Sequence, residues 1–209
     1  MSRERHVDPA LRALLRENLA RFEPRHDADP ALRPAAVCIV ITADEHGVPC
    51  FLLTRRPKTL RRHAGQWALP GGRLDPGETA TEGGLRELHE ELGIELGPEH
   101  LLGQLDVYET RSGFAMQPLV LWAEPPCAIE PDPSEVASCH HVPLTELEKP
   151  EVPQLRAIPE SDRPIIILPI IGEQINAPTA AVLYQFVEVA LRGKDTRVAH
   201  YEQPVFAWK

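Results

Sequence analysis

The sequence predicts an α/β protein, a mixed sheet flanked by helices, with one helix opening the chain and another closing it. Three observations carry that prediction. Short apolar runs such as "AAVCIVIT", "CFLLTRR" and "MQPLVLWAE" recur between turn signals and read as strands. Two longer segments, "LRELHEELGI" and "TAAVLYQFVEVALRG", repeat apolar residues at helical spacing. Strands and helices alternate along the chain, the pattern of a sheet covered by helices.

In order, Pro9 to Phe22 carries Leu11, Leu14, Leu15 and Leu19 at helical spacing, and the connector "EPRHDADPALRP" follows it. The organisation expected is an N-terminal helix and linker over 1–31, a domain over 32–195 and a tail over 196–209. Ala35 to Thr42 and Cys50 to Arg56 are two strands separated by the turn "ADEHGVP", and so form a hairpin. Trp67 to Gly72 is a short strand stopped by Pro and Gly, and "DPGET" leads into the central helix. "LLGQLDVYET" and "MQPLVLWAE" are strands around the connection "RSGFA". "PPCAIEPDPSEVASCHHVPLTEL" reads as loop, strand, loop and a helical turn. Between Glu151 and Pro169 the prolines break the pattern, and "IIILPI" alone reads as a strand. Thr179 to Gly193 is the closing helix.

The 209 residues are 43% hydrophobic and 25% charged, an ordinary globular composition able to bury a core. With 22 Lys and Arg against 31 Asp and Glu the formal net charge is -9, which argues against a nucleic-acid or anionic-membrane binder. A phosphate-bearing ligand must therefore find a local basic patch. Cys38, Cys50, Cys127 and Cys139 are scattered through apolar runs, so reduced, buried thiols are expected rather than a disulfide framework. The N-terminus lacks the apolar stretch of a signal peptide, and no run is long enough to span a bilayer; a cytoplasmic location is expected.

In "LRELHEELGI", at about 100° per residue, Leu85, Leu88 and Leu92 share one face, and Glu87, Glu90 and Glu91 occupy the opposite arc. Like charges at i, i+4 cost an isolated helix about 0.2–0.5 kcal/mol, so this face does not help folding. Taken alone, ExxEE reads most simply as a solvated acidic face with Arg86 and Glu90 paired. It also suits a hard divalent cation, since Mg²⁺ takes carboxylates together with waters and substrate phosphates. Gly83 and Gly84 inside the helix imply either close backbone approach or a late helix start.

The surroundings decide between these readings. Gly72, five residues, Glu78, seven residues and then Arg86-Glu87-Leu88-His89-Glu90-Glu91-Leu92-Gly93-Ile94 match G-x5-E-x7-R-E-U-x-E-E-x-G-U at every position, U being aliphatic. In this the chain resembles the Nudix hydrolases. The resemblance implies an α/β/α sandwich whose loop-helix-loop binds Mg²⁺ or Mn²⁺ and hydrolyses a nucleoside diphosphate linked to another moiety. It implies Glu87, Glu90 and Glu91 as metal ligands, Gly72 as a carbonyl ligand, and Arg86 and Glu78 as orienting residues. Family members take their general base from the box or from a later loop, so Glu87, Glu135 and Asp132 are all candidates. Homodimers are common in the family, and one is open to this chain.

Upstream, Arg55, Arg56, Lys58, Arg61 and Arg62 place five of the 22 basic residues in one eight-residue run. Such a run could be solvated, or could supply charge-assisted contacts to phosphates. The stretch "LLTRRPKTLRRHAGQWALPGG" resembles the coenzyme A pyrophosphatase branch of the family, whose motif is LLTxRSxxLRxHxGQxAFPGG. It matches at Leu52, Leu53, Thr54, Arg56, Leu60, Arg61, His63, Gly65, Gln66, Ala68, Pro70, Gly71 and Gly72, and departs at Pro57, Trp67 and Leu69. The resemblance implies cleavage of CoA or its thioesters to 3',5'-ADP and a 4'-phosphopantetheine, with Arg56, Arg61, His63, Gln66 and Gly71 binding substrate. ADP-ribose, NADH or another nucleoside diphosphate derivative is the alternative within the class. A ligand-sensing module without catalysis is the alternative outside it, and intact Glu87, Glu90 and Glu91 speak against that. An RNA-binding role for the basic run is disfavoured by the net charge. Cys139 and His141 share a strand face but lack the partners of a zinc site. Tyr108, Phe114, Trp122 and Trp208 read as core or interface residues rather than base-stacking platforms, and Tyr108 and Phe114 flank a loop that could line the pocket.

Overall fold

A computed structural model describes residues 6–59 and 64–208. Helix α1 (Pro9–Arg21) begins where Asp8 accepts the Leu11 amide at 2.8 Å, with Pro9 in the first turn where its missing N–H costs nothing. It buries Leu11, Leu15 and Leu19; Leu14 points outward, 38% exposed.

Strand β1 (Arg33–Ala43) turns back through Asp44, whose carboxylate accepts the amides of His46 and Val48, into β2 (Pro49–Arg55). Two short strands follow, β3 (Trp67–Ala68) and β4 (Gly71–Arg73). Helix α2 (Ala80–Leu92) starts at a reciprocal capping box between Thr79 and Glu82 and stops at Gly93, whose φ of 66° is left-handed. Then come β5 (Leu101–Gln104), β6 (Tyr108–Glu109), β7 (Phe114–Trp122) and β8 (Ser138–Pro143).

These eight strands form one mixed sheet. β1 runs parallel to β7 on one edge and antiparallel to β2 and β4 on the other; β8 and β3 flank β2, and β5 and β6 flank β7. The apolar run of β1 is continuous because both of its faces are covered. Ala36, Cys38 and Val40 pack with Leu88 and Leu92 of α2, whereas Val37, Ile39 and Ile41 belong to the larger core that includes α1. The closing helix completes that core as α3 (Thr179–Phe186) and a π-helical continuation over Val187–Leu191. This is the α/β/α layering expected.

The proline-spaced segment adds a second sheet, β9 (Gln154–Ile158), β10 (Ser161–Ile170) and β11 (Glu173–Asn176), where one strand alone was expected. Pro159 sits in the turn between β9 and β10, and Pro164 lies where the register shifts, positions at which a lost ladder hydrogen bond is tolerated.

Gly83 and Gly84 are inside α2, so close approach is the correct alternative for them. A Cβ at Gly84 would stand 2.5 Å from Leu119 Cδ1 and 3.2 Å from Cys38 Sγ. The helix therefore docks through its glycines, and its buried face centres on Gly84 and Leu88 rather than on Leu85. Gly84→Ala should gain about 1 kcal/mol of helix propensity yet lose about 1–3 kcal/mol to overpacking. A lower denaturation midpoint is the expected result; an unchanged one would mean the helix can shift outward at no cost.

Candidate active site

The rotation of α2 about its glycines redistributes the three helical glutamates. Glu91, placed by the sequence on the outer arc, is 3% exposed and turned toward the sheet. Glu87 lies at the rim with its side chain 14% exposed, and Glu90 is in solvent at 54%. The expected plate of three is thus corrected to a graded set, because glycines carry no hydrophobic signal yet define the packing face.

The Gly71-Gly72 pair makes room for this set. Gly71 has φ 140°, and a Cβ there would lie 2.2 Å from the Ala36 carbonyl oxygen. A Cβ at Gly72 would overlap the Glu87 carboxyl group, at 2.4 Å. The Gly71 amide donates to Glu91 Oε2 at 3.0 Å.

Arg86 fixes the rim. Its Nε donates to Glu78 Oε1 at 2.8 Å, Nη1 to Glu87 at 3.0 Å and to Glu90 at 2.8 Å, and Nη2 to the Arg73 carbonyl at 3.0 Å. The Arg86 hydrogen bonds pull the Glu78 carboxyl down to about 2. The orienting roles expected of Arg86 and Glu78 have this geometric counterpart, and the Arg86–Glu90 pair of the plain reading is present as well. Lysine cannot reproduce a planar fork serving four acceptors. Arg86→Lys should therefore lower turnover about 10–100-fold with little change in melting temperature, as loss of an outer-shell partner does.

A third carboxylate arrives from the loop before β8. The Asp132 amide donates to the Glu91 carbonyl at 2.9 Å, which ties that loop to the end of α2. Asp132 spends its side chain on the Ser134 amide at 2.8 Å, a bond that lowers its pKa. Glu135 is carried into the site instead. Oxygen atoms of Glu87, Glu91 and Glu135 lie within 4.8 Å of one another, and Glu90 and Asp132 are outside this group. Burial pushes the Glu91 carboxyl up to about 7, with Glu87 and Glu135 adding repulsion, and raises Glu87 as well. Among the described residues, little compensates this charge. Arg86 is shared among three carboxylates, and Arg56 Nη1 stands 3.9 Å from Glu91.

The three carboxylates open into a cavity of about 600 Å³. Arg56, Gln66, Gly71 and Gly72 line it. Arg56 Nε is buried without a partner. Arg55, by contrast, turns to the Trp67 ring (5.3 Å) and to Glu173 (3.9 Å). Arg61 and His63 lie outside the described residues. Phe114 lines the cavity, while Tyr108 is buried with its hydroxyl donating to the Tyr201 carbonyl at 3.0 Å. Two lining segments were not anticipated: Gln174 to Thr179, and Gln203 with Phe206 and Ala207. No local pattern marks Gln203 to Ala207; the tertiary fold brings that segment in.

Glycine strand, capped helix and grouped carboxylates agree with what the comparisons find. The family model for the NUDIX domain matches residues 32–164, more than half of the sequence, and the chain belongs to that family. It is 41% identical over 113 residues to an uncharacterized Nudix hydrolase, NudL, of Yersinia enterocolitica, covering 54% of this chain and 57% of the relative. The match to NudL of Pectobacterium atrosepticum is 37% identical over 139 residues, 63% of this chain and 70% of that one. The match thus spans less than two thirds of the first relative's length. Among solved structures, a MutT/nudix family protein from Enterococcus faecalis has a TM-score of 0.54 at 14% identity, covering 89% of this chain and 70% of that one. The MutT protein of Methanosarcina mazei Go1 has a TM-score of 0.50 at 23% identity, covering 79% and 95%. Both show the same fold. Among the described residues no helix is long and apolar enough to cross a membrane.

Proposed function

We propose that the chain is a Mg²⁺- or Mn²⁺-dependent diphosphatase of coenzyme A or a CoA thioester, releasing 3',5'-ADP and the corresponding 4'-phosphopantetheine. One observation carries this reading. Arg56, Gln66, Ala68, Gly71 and Gly72, all from the CoA-type stretch, line the same cavity as the carboxylates of the Nudix box.

The donor set fits a hard divalent cation. Glu87, Glu91 and Glu135 offer oxygen only, and among the described residues their charge is not balanced by Arg56 and Arg86. Glu87 and Glu91 would be the main ligands, with the Gly72 carbonyl beside them and Glu90 at the periphery. Such an ion neutralises diphosphate charge and acidifies a bound water. Glu135, exposed on its loop, accepts the proton of the attacking water as general base. The water oxygen bonds to one phosphorus, the bridging P–O bond breaks, and the other half leaves as a phosphate monoester. Arg56, which lines the cavity with Nη1 3.9 Å from Glu91, would donate from its guanidinium to a non-bridging oxygen. Arg86 and Glu78 hold Glu87 in line.

The test is a panel with Mg²⁺ or Mn²⁺ of CoA, acyl-CoA, ADP-ribose, NADH and nucleoside triphosphates. CoA or an acyl-CoA should give the highest kcat/KM. A tenfold advantage for ADP-ribose or NADH would replace the CoA assignment, and tight binding without turnover would point to a sensing module.

A further inference from the structure

The charged residues lining the cavity all sit at one end. Arg56 follows β2, Arg73 ends β4, Glu87 and Glu91 belong to α2, and Glu135 comes from the loop before β8. Among the described residues, no charged side chain lines the opposite wall. Across the sheet, Arg73 pairs with Ala35 of β1, and Ala35 pairs in turn with Met116 of β7. Met116 and Phe114 therefore lie two strand spacings from the glycine strand, roughly 10 Å. Beyond β7 is β6, and over it lies the C-terminal segment: Gln203 Nε2 donates to the Glu109 carbonyl at 3.3 Å and Gln203 Oε1 accepts the Arg111 amide at 3.2 Å. Phe206 stands at this wall with 59% of its surface exposed.

The wall is made of apolar groups (Phe114, Met116, Phe206) and neutral polar ones (Asn176, Thr179, Gln203). That composition disfavours a phosphate, which needs cations or convergent amides, and suits a long neutral chain with amides along it. Residues 174–207 also lie beyond the stretch matched by the family model, which ends at 164.

We infer that Phe206, with Phe114 and Met116, forms a specificity subsite for the neutral pantetheine arm of the substrate, so that the adenosine half lies on the charged side of the cleavage point. This rests on the CoA reading above. An exposed aromatic ring at the rim lies over the apolar part of the arm, and the amide-bearing part runs past Asn176 and Gln203 toward the carboxylates.

The experiment is product inhibition of CoA hydrolysis by the full chain with Mg²⁺, using 4'-phosphopantetheine and 3',5'-ADP as separate inhibitors. Phe206→Ala should raise the inhibition constant for 4'-phosphopantetheine at least about fivefold while that for 3',5'-ADP stays within about twofold. Phe206→Asp, which puts a charge on the neutral wall, should enlarge the same split. Phe206 is exposed, so both variants should melt with the wild type. A larger rise for 3',5'-ADP would place the nucleotide at this wall and overturn the inference, as would equal changes for both. If wild-type protein cleaves ADP-ribose but not CoA, the CoA reading fails and takes the subsite with it; if CoA is cleaved and the split is missing, the subsite alone fails.

Discussion

Glu91→Gln should reduce Mg²⁺-dependent turnover by at least about 10³-fold and raise the melting temperature of the metal-free protein. Both effects follow from where the fold puts this carboxylate. Glu91 is 3% exposed, its pKa is pushed up to about 7 by burial, and Glu87 and Glu135 repel it further. A buried charge without a full partner is a cost to folding that a ligand cation would turn into binding energy. Glutamine keeps a carbonyl oxygen for the Gly71 amide and removes the charge. The metal-free fold should gain about 2–4 °C for each kcal/mol of repulsion relieved, while the loss of a central ligand charge removes transition-state stabilisation. Glu90→Gln makes the internal comparison. Glu90 is half exposed and paired with Arg86, so its loss should be the smaller by at least about tenfold. Calorimetric titration with Mn²⁺ separates ligand loss from a damaged fold: Glu91→Gln should weaken Mn²⁺ binding far more than Glu90→Gln. Equal turnover losses, or wild-type Mn²⁺ affinity in Glu91→Gln, would remove Glu91 from the proposed metal site.

How much of this was legible in the sequence varies by element. The layers were, because β1 carries an apolar residue at nearly every position and α1, α2 and the closing helix keep helical spacing. The glutamates were visible as a group but not in their order, since a wheel centred on leucines cannot register that Gly84 is the contact point. Glu135 stood beside Asp132 as an alternative, and only the fold separates them: Glu135 joins Glu87 and Glu91, whereas Asp132 accepts the Ser134 amide. The β9–β10 hairpin was hidden because its prolines sit at a turn and a register shift, where they mimic a loop. The distal wall was hidden for a deeper reason. Gln203 and Phe206 reach the cavity through contacts made about ninety residues away in sequence, and no local pattern encodes such pairing.

The anchor of that wall sets the second large effect, expected in stability. Glu202→Gln should cost about 2–3 kcal/mol at pH 7, a fall of roughly 5–10 °C in melting temperature, and the cost should shrink as the solution is made acidic. Glu202 is fully buried. One carboxylate oxygen accepts Arg111 Nε at 3.1 Å and the Gln203 amide at 2.9 Å; the other accepts Arg111 Nη2 at 2.5 Å, Arg163 Nη2 at 2.8 Å and Ser161 Oγ at 3.1 Å. Burial alone would raise its pKa, but the hydrogen bonds from Arg111 and Arg163 outweigh burial and draw it down to about 2. The folded value thus lies below the unfolded one of about 4.3. A depressed carboxylate contributes stability that is complete above the unfolded pKa and is lost as pH falls through the folded one, here between about pH 5 and 2. Wild type and Glu202→Gln should therefore differ most at neutral pH and converge near pH 2. Denaturant titrations at pH 7, 5, 4 and 3 read this directly, and a constant gap across them would show that the anion of Glu202 is not what holds the segment. The two arginines are nearly half exposed and rehydrate when the carboxylate is removed, which keeps the loss at the low end for a buried pair. Because Gln203 follows Glu202 and Phe206 lies one turn further on, loosening this anchor should also, on the proposed CoA reading, raise KM for CoA at temperatures well below melting, with kcat falling less.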